Sequence, residues 1–447
     1  MKAFKAYDIR GIWGHELNKD IAYRIGNFIP KVFGVSKVLI GRDIRLSSDD
    51  LFNSLSEGLI DAGVDVVDAG LTTTPMVYWG TGKFDFEFSI MITALHNSSN
   101  YNGLKFSGKD VKPIGYADGL DLLEAIVDSD APPVMNEKGS IEDINFNDSY
   151  YNFLNSYGKN YSKLKIAIDC SNGMSALFAH RLFGDEPIYI NDEMDGTFPG
   201  HEPNPLEPVN QDQIKETVLK NNCDIGVIFD GDADRVMFID EKGNFISPDL
   251  IIAVLAHYFF EEKNQKGKVV QDIRTSKAVG DFLRKYDTDL VIWKVGRAFG
   301  ATKLKEVDGI YGGELAGHYY FRDFYFSDSG ILAALLVLNI VMKFSEQNIP
   351  FSNVISDIST YANTGEVNFT VEKKQEAMDE VLQFFKKNDP EFLFFDFDGY
   401  RLEFNDWWFN IRPSNTEPYL RFLAEAANSK LLDEKTKIIY SILSRYC

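Results

Sequence analysis

Short apolar runs alternate with polar segments of helical length through the first two thirds of the chain. Leu51, Leu55 and Leu59 lie four residues apart and predict the apolar face of a helix, with Ser47 or Ser48 as its cap. The order strand, helix, strand, helix, strand predicts a parallel sheet with right-handed crossovers. The three apolar runs of strand length in this opening stretch are residues 37–40, 64–67 and 89–92.

The same alternation recurs further along the chain and is then replaced by another pattern. Near the C-terminus, an alternating strand at residues 367–371 precedes an amphipathic helix at 373–387, and Asn405 and Asp406 form a predicted hairpin turn. The pattern therefore predicts an α/β fold, with three α/β units of similar rhythm followed by a small α+β domain with an antiparallel sheet. The later apolar runs of strand length are residues 164–169, 224–229, 268–271, 290–293 and 310–313.

Length and charge limit the number of domains and the kinds of partner. The 447 residues are too many for one ordinary core and predict roughly three or four domains. A formal net charge of −21 argues against nucleic acids and membrane surfaces as partners, because both are anionic. It leaves an anionic small substrate open, since a local pocket of arginine and lysine can outweigh the overall charge.

Cysteine usage and hydropathy predict a cytoplasmic protein. Cys170, Cys223 and Cys447 are too widely spaced for a metal motif and cannot all pair, so a reduced setting is expected. No apolar stretch follows the first residues, so no signal peptide is expected. The most apolar segment, residues 331–342, is too short to span a bilayer and predicts a buried helix.

The densest cluster of polar side chains follows the apolar run at residues 89–92. Thr93, His96 and Lys105 belong to a stretch that begins where a parallel strand would end, and ligands bind at that end of open α/β sheets. Leu95 is the exception, because a large apolar side chain stands where a reacting group would be expected. A turn-capping role for His96 and a surface role for Lys105 are simpler interpretations, but neither explains why polar side chains gather here.

Three aspartates alternate through the loop after the apolar run at residues 224–229. Asp230, Asp232 and Asp234 hold negative charges at short spacing, which is costly without a cation. About three carboxylate ligands suit Mg²⁺, which prefers octahedral oxygen coordination and keeps positions open for water or substrate. A solvated acidic loop is the alternative, but the strand end and the adjacent Arg235 favour a metal site.

Two weaker motifs suit ligand recognition. Glu314 and His318 follow another apolar run and could hydrogen-bond sugar hydroxyls, although a structural histidine is an equal alternative. A C-terminal loop combines guanidinium groups, hydroxyls and an amide that can surround a phosphate, and an ordinary turn is the alternative there. Its polar residues are Arg412, Ser414, Asn415 and Thr416, with Arg421 close by.

Taken in their order along the chain, these segments resemble the α-D-phosphohexomutases, in particular the bacterial phosphomannomutase/phosphoglucomutase branch. The resemblance covers essentially the whole chain, and the ordered set is far more specific than any one motif. The segments that carry it are residues 4–11, 41–48, 93–105, 195–199, 202–205, 230–235, 313–318 and 412–418.

The resemblance implies four domains around a central cleft, namely three similar α/β domains with mixed sheets and a C-terminal α+β domain. In the implied reaction, a phosphoserine gives its phosphoryl group to a hexose 1- or 6-phosphate of mannose, glucose or both. The resulting 1,6-bisphosphate reorients, and its other phosphate returns to the serine. The implied domains are 1–150 with the phosphoserine loop, 151–252 for metal binding, 253–365 for sugar binding and 366–447 for phosphate binding.

The resemblance also implies a role for each site residue. Asp230, Asp232 and Asp234 would hold Mg²⁺, and a hexose 1,6-bisphosphate would act as activator. The expected partners are small sugar phosphates, and the chain is expected to be a monomer or dimer. The implied catalytic residues are position 95, Arg10, His96, Lys105 and Arg235, with Lys105 or His96 assisting proton transfer. The implied substrate-binding residues are Tyr7, Glu314, His318, Arg412, Ser414, Asn415, Thr416 and Arg421. A hexosamine substrate stays open, because phosphoglucosamine mutases share a similar Glu–His loop.

Several positions depart from the family pattern. Leu95 stands at the phosphoserine position and Ser98 replaces a proline. Ala316 replaces a sugar-contacting serine, and Arg297 stands where the branch usually has histidine. Leucine cannot accept a phosphoryl group, and losing a nucleophile can cost on the order of 10⁶ in rate. Three explanations stay open: an incidental or engineered substitution in an active mutase, a silenced paralogue that binds sugar phosphates, and, ranked last, takeover by Ser98.

Overall fold

The computed structural model, which describes residues 1–414 and 419–447, contains four β-sheets, each formed by one consecutive stretch of the chain. We call these stretches the first to fourth units. Three mixed α/β units followed by an antiparallel α+β unit are the fold class expected from the sequence, and that expectation is confirmed. The exact domain boundaries stay predictions.

The first unit alternates strands and helices up to Asp143. Its elements are β1 (Ile9–Ile12), α1 (Lys19–Phe33), β2 (Lys37–Arg42), α2 (Ser48–Asp61), β3 (Asp65–Leu71), α3 (Thr74–Lys83), β4 (Phe88–Ile92), β5 (Tyr101–Gly108), β6 (Pro113–Ile114), α4 (Leu120–Ser129) and β7 (Ile141–Asp143). The strand order is β1-β5-β4-β2-β3-β7, with β6 beside β5.

The sheet of the first unit is parallel at its centre and antiparallel at one edge. β2 is parallel to β3 and β4, as the alternation predicts, whereas β5 is antiparallel to both β1 and β4. The predicted parallel strands are therefore confirmed, and β5 is an additional antiparallel strand in a stretch predicted as a loop. The chain between Ile92 and Tyr101 is too short for the crossover of a dozen or more residues that parallel strands require.

The second and third units repeat this design, with parallel central strands and an antiparallel hairpin at one edge. The second contains α5 (Asn147–Asn155), β8 (Ile166–Asp169), α6 (Ala179–Phe183), β9 (Ile188–Ile190), α7 (Asp212–Asn221), β10 (Ile225–Phe229), β11 (Val236–Asp240) and β12 (Phe245–Ile246). The third contains α8 (Pro248–Ala256), β13 (Val269–Asp272), α9 (Lys277–Leu283), β14 (Leu290–Trp293), α10 (Arg297–Glu306), β15 (Tyr311–Gly313), β16 (Tyr319–Phe321), α11 (Gly330–Ser345) and α12 (Phe351–Ile358).

The fourth unit is an antiparallel sheet covered by two helices. Its strands β20 and β21 form the hairpin predicted at Asn405 and Asp406, with Glu403 opposite Trp408. The elements are β17 (Ala362–Asn363), β18 (Val367–Thr370), α13 (Lys374–Asn388), β19 (Leu393–Phe395), β20 (Tyr400–Glu403), β21 (Trp407–Pro413), β22 (Tyr419–Ala426) and α14 (Ser429–Leu443).

One apolar core joins the first three units, and the fourth has a core of its own. Trp79 of α3 packs on Phe146 and Tyr150, with ring centroids 6.1 and 5.6 Å away. The predicted buried helix is α11, whose apolar side chains lie in this joint core. Across the described residues, no helix has the length and apolar character needed to cross a membrane. The joint core fixes the strand ends of three units relative to one another.

Candidate active site

A cavity of about 310 Å³ lies where the first three units meet. Loops that follow β4, β10 and β15 line it, as the sequence predicts for ligand sites in open α/β sheets, together with parts of β1 and β5. Side chains from residues far apart in sequence therefore share one space. The predicted site residues that line it are Tyr7, Arg10, Leu95, His96, Lys105, Arg235, Glu314 and His318.

Two of these residues lie on strands, although the sequence predicts loops for them. Arg10 belongs to β1 and Lys105 to β5. The two strands pair, with Arg10 directly opposite Gly103. A Cβ at Gly103 would lie 2.4 Å from the carbonyl oxygen of Ile9, so only glycine permits this approach. The pairing gives both cationic side chains a rigid base.

Leu95 lies in the loop between β4 and β5, with its side chain 8% exposed and facing the cavity. Its backbone is left-handed, with φ 55°, which costs a non-glycine residue roughly 1–2 kcal/mol. The Leu95 N–H donates to Oγ1 of Thr93 at 3.0 Å. The carbonyl oxygen of Leu95 lies close to Gly231, where a Cβ would be only 2.7 Å away. Position 95 therefore lies directly against the aspartate loop.

Arg45 holds this loop in place, a role that the sequence analysis missed. Its side chain has no exposed surface and pairs with Asp43, with Nε 3.2 Å from Oδ2. The guanidinium also lies 4.9 Å from the ring centre of Phe198 in the second unit. It donates hydrogen bonds of 2.6–3.2 Å to the carbonyl oxygens of Leu95, Asn97, Ser98 and Tyr101. The loop geometry is thus set by contacts to its backbone.

Asp230, Asp232 and Asp234 follow β10 and form a compact group. Each is 0% exposed, and one carboxylate oxygen from each lies within 4.8 Å of the others. Within the described part of the chain, Oδ1 of Asp232 and Oδ1 of Asp234 are buried without a hydrogen-bond partner. Buried, unpartnered oxygens are costly, and a divalent cation with oxygen ligands removes that cost. The donor set therefore fits Mg²⁺.

Burial and mutual repulsion shift the pKa values of these carboxyl groups. Burial, and then the charges of Asp234 and Asp232, raise the pKa of Asp230 well above its usual value. Burial and the Asp234 charge raise the pKa of Asp232 to about 6. Burial acts the same way on Asp234, but neighbouring cations, Lys105 foremost, outweigh it and lower the pKa. Because the three buried carboxylates repel one another, the cluster is stabilised by binding protons or a cation, which again favours a metal site.

Lys105 and Arg235 bring positive charge next to the aspartates. Nζ of Lys105 lies 2.5 Å from Oδ2 of Asp234 and 3.5 Å from Oδ2 of Asp232. Burial would lower the pKa of Lys105, but the Asp234 charge and its other neighbours outweigh it and raise the pKa well above its usual value. Arg235 donates from Nε to Asp230 at 2.8 Å, while its Nη2 is buried without a hydrogen-bond partner among the described residues. Both side chains are therefore permanent cations suited to a phosphate.

His96 is suited to accept a proton. Burial, and then the charges of Arg235 and Arg10, lower its pKa well below the usual value. Nδ1 is buried and makes no hydrogen bond to the described residues. Because Lys105 keeps its proton, the pKa shifts favour His96 of the two predicted proton-transfer residues.

Glu314 and His318 lie on the turn between β15 and β16. Gly317 permits this turn, since it has φ +86° and a Cβ there would meet Cε of Met237 at 2.5 Å. His318 Nδ1 lies 2.6 Å from Oδ2 of Asp328. Burial would lower the pKa of His318, but the Asp234 and Asp328 charges outweigh it and raise the pKa. Glu314 and His318 thus present a carboxyl group and an imidazole to the same cavity.

Two further arginines line the cavity. The sequence analysis missed Arg274 and noted Arg297 only as a departure. Nη2 of Arg274 lies 2.8 Å from Asp272 and 4.0 Å from Glu314. Nε of Arg297 donates to Asp328 at 3.0 Å, and its guanidinium lies 3.9 Å from the Tyr78 ring centre. Arg274 follows the carboxyl end of β13, so the strand-end rule could have found it.

The predicted phosphate loop of the fourth unit lies beside this cavity, and its described members do not line it. Arg412 and Arg421 stand opposite each other on β21 and β22, and Ser414 is buried. Nη2 of Arg412 lies 3.3 Å from Asp398, whose Oδ2 accepts the N–H of the cavity residue Val295 at 2.9 Å. Asn415 and Thr416 are outside the described residues, so their predicted roles stay predictions.

Ser98, which the third explanation would make the replacement nucleophile, is hydrogen-bonded within its own loop. Its hydroxyl donates to Oδ1 of Asn100 at 2.9 Å, and it is not among the described residues that line the cavity. The geometry therefore gives no support to takeover by Ser98.

Comparison with known protein families gives four matches that together cover most of the chain. All four describe phosphoglucomutase/phosphomannomutase domains. The α/β/α domains I, II and III match residues 1–132, 145–243 and 247–361, and the C-terminal domain matches residues 366–438.

Individual proteins agree with these matches. A phosphomannomutase of Methanocaldococcus jannaschii is 34% identical over 100% of this chain and 98% of its own length. A phosphomannomutase of Escherichia coli strain K12 is 36% identical over 99% of both chains. The crystal structure of a phosphoglucomutase/phosphomannomutase family protein from Burkholderia thailandensis has a TM-score of 0.88 at 27% identity, covering 99% of this chain and 97% of that one.

The four domain matches and the shared fold place the chain in the α-D-phosphohexomutase superfamily. Within that superfamily, the chain belongs to the phosphoglucomutase/phosphomannomutase family.

Proposed function

We propose that the cavity of about 310 Å³, which we call the cleft, binds hexose 1-phosphates and hexose 6-phosphates of mannose, glucose or both. The proposed reaction is the interconversion of these two phosphates through a hexose 1,6-bisphosphate. The observation that carries the proposal is that Lys105 and Arg235, which line the cavity, form ion pairs with a buried group of three aspartates. The relatives named phosphomannomutase support mannose phosphate as a substrate. We further expect a cytoplasmic monomer or dimer.

The cationic side chains of the cavity would bind the phosphate groups of the substrate. Arg235 has an unpartnered Nη2, and Arg274 and Arg297 are held by carboxylates that fix their orientation. Guanidinium groups held in this way bind phosphate oxygens with little loss of side-chain entropy. Glu314 and His318 would hydrogen-bond the sugar hydroxyls between the phosphates.

The aspartates, Lys105 and His96 would each have a different role in phosphoryl transfer. Asp230, Asp232 and Asp234 would hold Mg²⁺, which when bound supplies charge neutralisation at the transferring group. Lys105 would neutralise phosphate oxygens without giving up its proton. His96, kept neutral by its surroundings, would accept the proton of the attacking sugar hydroxyl at Nδ1.

A second candidate function is sugar-phosphate binding without turnover, and Leu95 favours it. A leucine side chain has no atom that forms a bond to phosphorus, and it occupies the position that faces the cation-rich cavity. The cavity residues named above remain suited to binding, because none of them depends on the side chain at position 95.

A coupled assay separates the two candidates. The native chain is supplied with mannose 1-phosphate or glucose 1-phosphate, Mg²⁺ and a hexose 1,6-bisphosphate activator, and hexose 6-phosphate formation is followed. Turnover above the protein-free rate supports the mutase. Absence of turnover, with sugar-phosphate binding retained in calorimetry, supports the binding protein. Loss of both would contradict the assignment of the cleft.

A further inference from the structure

The turn between β13 and α9 carries one of the arginines of the cleft. It comprises residues 273–276, and Arg274 is the member that lines the cleft. Asp272, the last residue of β13, accepts hydrogen bonds from Nε and Nη2 of Arg274 at 3.1 and 2.8 Å. This pairing orients the guanidinium relative to the end of the strand. The backbone of the turn is held separately, by the fourth unit.

Arg401 of β20 donates two hydrogen bonds to the backbone of this turn. Its Nη1 lies 2.7 Å from the carbonyl oxygen of Ile273 and 2.6 Å from that of Thr275. These residues are the two sequence neighbours of Arg274, so the contacts hold the chain on both sides of it. Both neighbours are 0% exposed, so water does not reach either carbonyl oxygen. A buried carbonyl group that loses its donor is costly, and Arg401 is therefore the partner that keeps this turn in its conformation.

The Arg401 guanidinium is itself held from two sides. Its Nε and Nη2 lie 2.7 and 2.6 Å from Oε1 of Glu403. Its central carbon lies 3.7 Å from the ring centre of Trp408. A guanidinium carries five N–H donors in one rigid plane, so a single side chain can serve a carboxylate and two carbonyl groups at once. Arg401 therefore offers its donors to the turn in a fixed direction.

Two more side chains bind the third unit to the fourth at this place. Oγ of Ser276 donates to Oε2 of Glu425 at 2.7 Å. Nζ of Lys277, the first residue of α9, donates to two backbone carbonyl groups between β20 and β21, each at 2.7 Å. The fourth unit thus holds the whole stretch of residues 273–277. Arg401 is the contact that flanks the arginine of the cleft.

A similar arrangement holds the loop at position 95. There Arg45 pairs with Asp43 and donates to backbone carbonyl groups of the loop. The difference is that Arg45 and its loop belong to the same unit, whereas Arg401 reaches across from another unit. The position of Arg274 therefore depends on the contact between the third and fourth units.

We propose that Arg401 is a positioning residue for phosphate binding in the cleft and acts through Arg274. By holding the backbone on both sides of Arg274, it sets where that guanidinium meets the phosphate oxygens of the substrate. The proposal rests on the function proposed for the cleft, in which Arg274 binds phosphate.

The test is titration calorimetry of the full-length protein with mannose 6-phosphate in the presence of Mg²⁺. Arg401→Met removes both donors, and we expect it to weaken binding about tenfold, as is typical when a partner that orients a ligand-binding group is lost. Arg274→Met removes the cleft guanidinium itself and should weaken binding at least as much. The double variant should bind no more weakly than Arg274→Met alone, because Arg401 then has nothing to position.

Two further variants separate positioning from a general loss of structure. Arg401→Lys keeps the positive charge beside Glu403, but an ammonium group does not span the carboxylate and both carbonyl groups. It should still bind mannose 6-phosphate more weakly than the native chain, and it serves if Arg401→Met fails to fold. Arg445→Met is the matched control, because it removes an exposed arginine of the fourth unit that pairs with Glu380. It should leave the affinity unchanged.

The outcomes distinguish this proposal from the function proposed for the cleft. Native affinity in the Arg401 variants would overturn the positioning role and leave the proposed function in place. An equal loss from Arg401→Met with and without the Arg274 guanidinium would show that Arg401 does not act through Arg274, and would overturn the role as well. Absence of mannose 6-phosphate binding by the native protein would overturn the proposed function, and the positioning role with it.

Discussion

Leu95→Ser is the substitution that tests the proposed chemistry most directly. It places a hydroxyl at the position that faces the cationic cavity and lies against the aspartate loop. We expect the variant to become phosphorylated at residue 95 by a hexose 1,6-bisphosphate and to interconvert hexose 1- and 6-phosphates faster than the native chain. Intact-mass analysis measures the first outcome and the coupled assay the second.

The rate effect should far exceed the stability effect. Leu95 is 8% exposed, and burying a leucine side chain completely is worth about 1.5–3 kcal/mol, so its loss costs somewhat less than that. The left-handed backbone at φ 55° persists in both forms, and its cost cancels. Restoring a nucleophile can gain on the order of 10⁶ in rate, which is about 8 kcal/mol of activation free energy. Leu95→Ser should therefore leave the protein folded while raising the rate of phosphoryl transfer by several orders of magnitude.

Leu95→Ala is the matched control, because it removes the same side chain without adding a hydroxyl. If emptying the space were enough, both variants would gain activity equally. If Leu95→Ser is neither phosphorylated at residue 95 nor faster than Leu95→Ala, the missing serine is not what limits the site. The reasoning from position 95 would then be refuted.

Three further outcomes test the metal site, the loop clamp and the contact between the third and fourth units. Asp232→Asn should weaken Mg²⁺ binding more than about tenfold in calorimetry, because one of three carboxylates is lost. Arg45→Met should lower the free energy of unfolding in urea by about 3–5 kcal/mol, since Asp43 becomes a buried, unpaired charge. Burial, and then the Asp249 charge, raise the pKa of Glu425 to about 7. Its protonated form is favoured by folding, so about 3 kcal/mol of stability is lost as pH rises from about 4.5 to about 7. Glu425→Gln should therefore raise the unfolding temperature relative to the native chain at pH 8 and have little such effect at pH 5.

Each of these outcomes has a control on the same chain. Asp192→Asn lies in the second unit outside the aspartate group and should leave Mg²⁺ affinity unchanged. Arg42→Met removes a more exposed arginine and should cost less than Arg45→Met. Glu372→Gln changes an exposed carboxyl group and should shift the unfolding temperature equally at both pH values. A pH-independent difference between the native chain and Glu425→Gln would contradict the assigned pKa.

Much of the fold could be predicted from local pattern. Apolar runs locate the central strands, and the turn residues Asn405 and Asp406 locate the hairpin between β20 and β21. That Asp230, His96 and Glu314 each follow a strand can also be predicted from sequence, but their gathering cannot, because the three strands belong to three different sheets.

The rest depends on contacts that leave no mark in the sequence. Arg45 acts on carbonyl oxygens about fifty residues away, and every residue type has a carbonyl group. Arg297 is oriented by Asp328 and Tyr78, which come from different parts of the chain. Strand β5 was missed because Tyr101–Gly108 is not an apolar run and contains two glycines, so the sequence predicts a loop there.

The structure also separates what the side chain at position 95 does from what the loop around it does. Oγ1 of Thr93 accepts a hydrogen bond from the Leu95 N–H, and Arg45 donates one to the Leu95 carbonyl oxygen, so both backbone groups of the residue are held by hydrogen bonds that do not involve its side chain. The backbone hydrogen bonds therefore fix the direction of the Cα–Cβ bond at position 95, whichever side chain the residue carries. Leucine changes the chemistry offered to the cavity and leaves the geometry as it is. Leu95→Ser alone should consequently be enough to convert a site that only binds sugar phosphates into one that transfers a phosphoryl group, and no second mutation in the loop should be required.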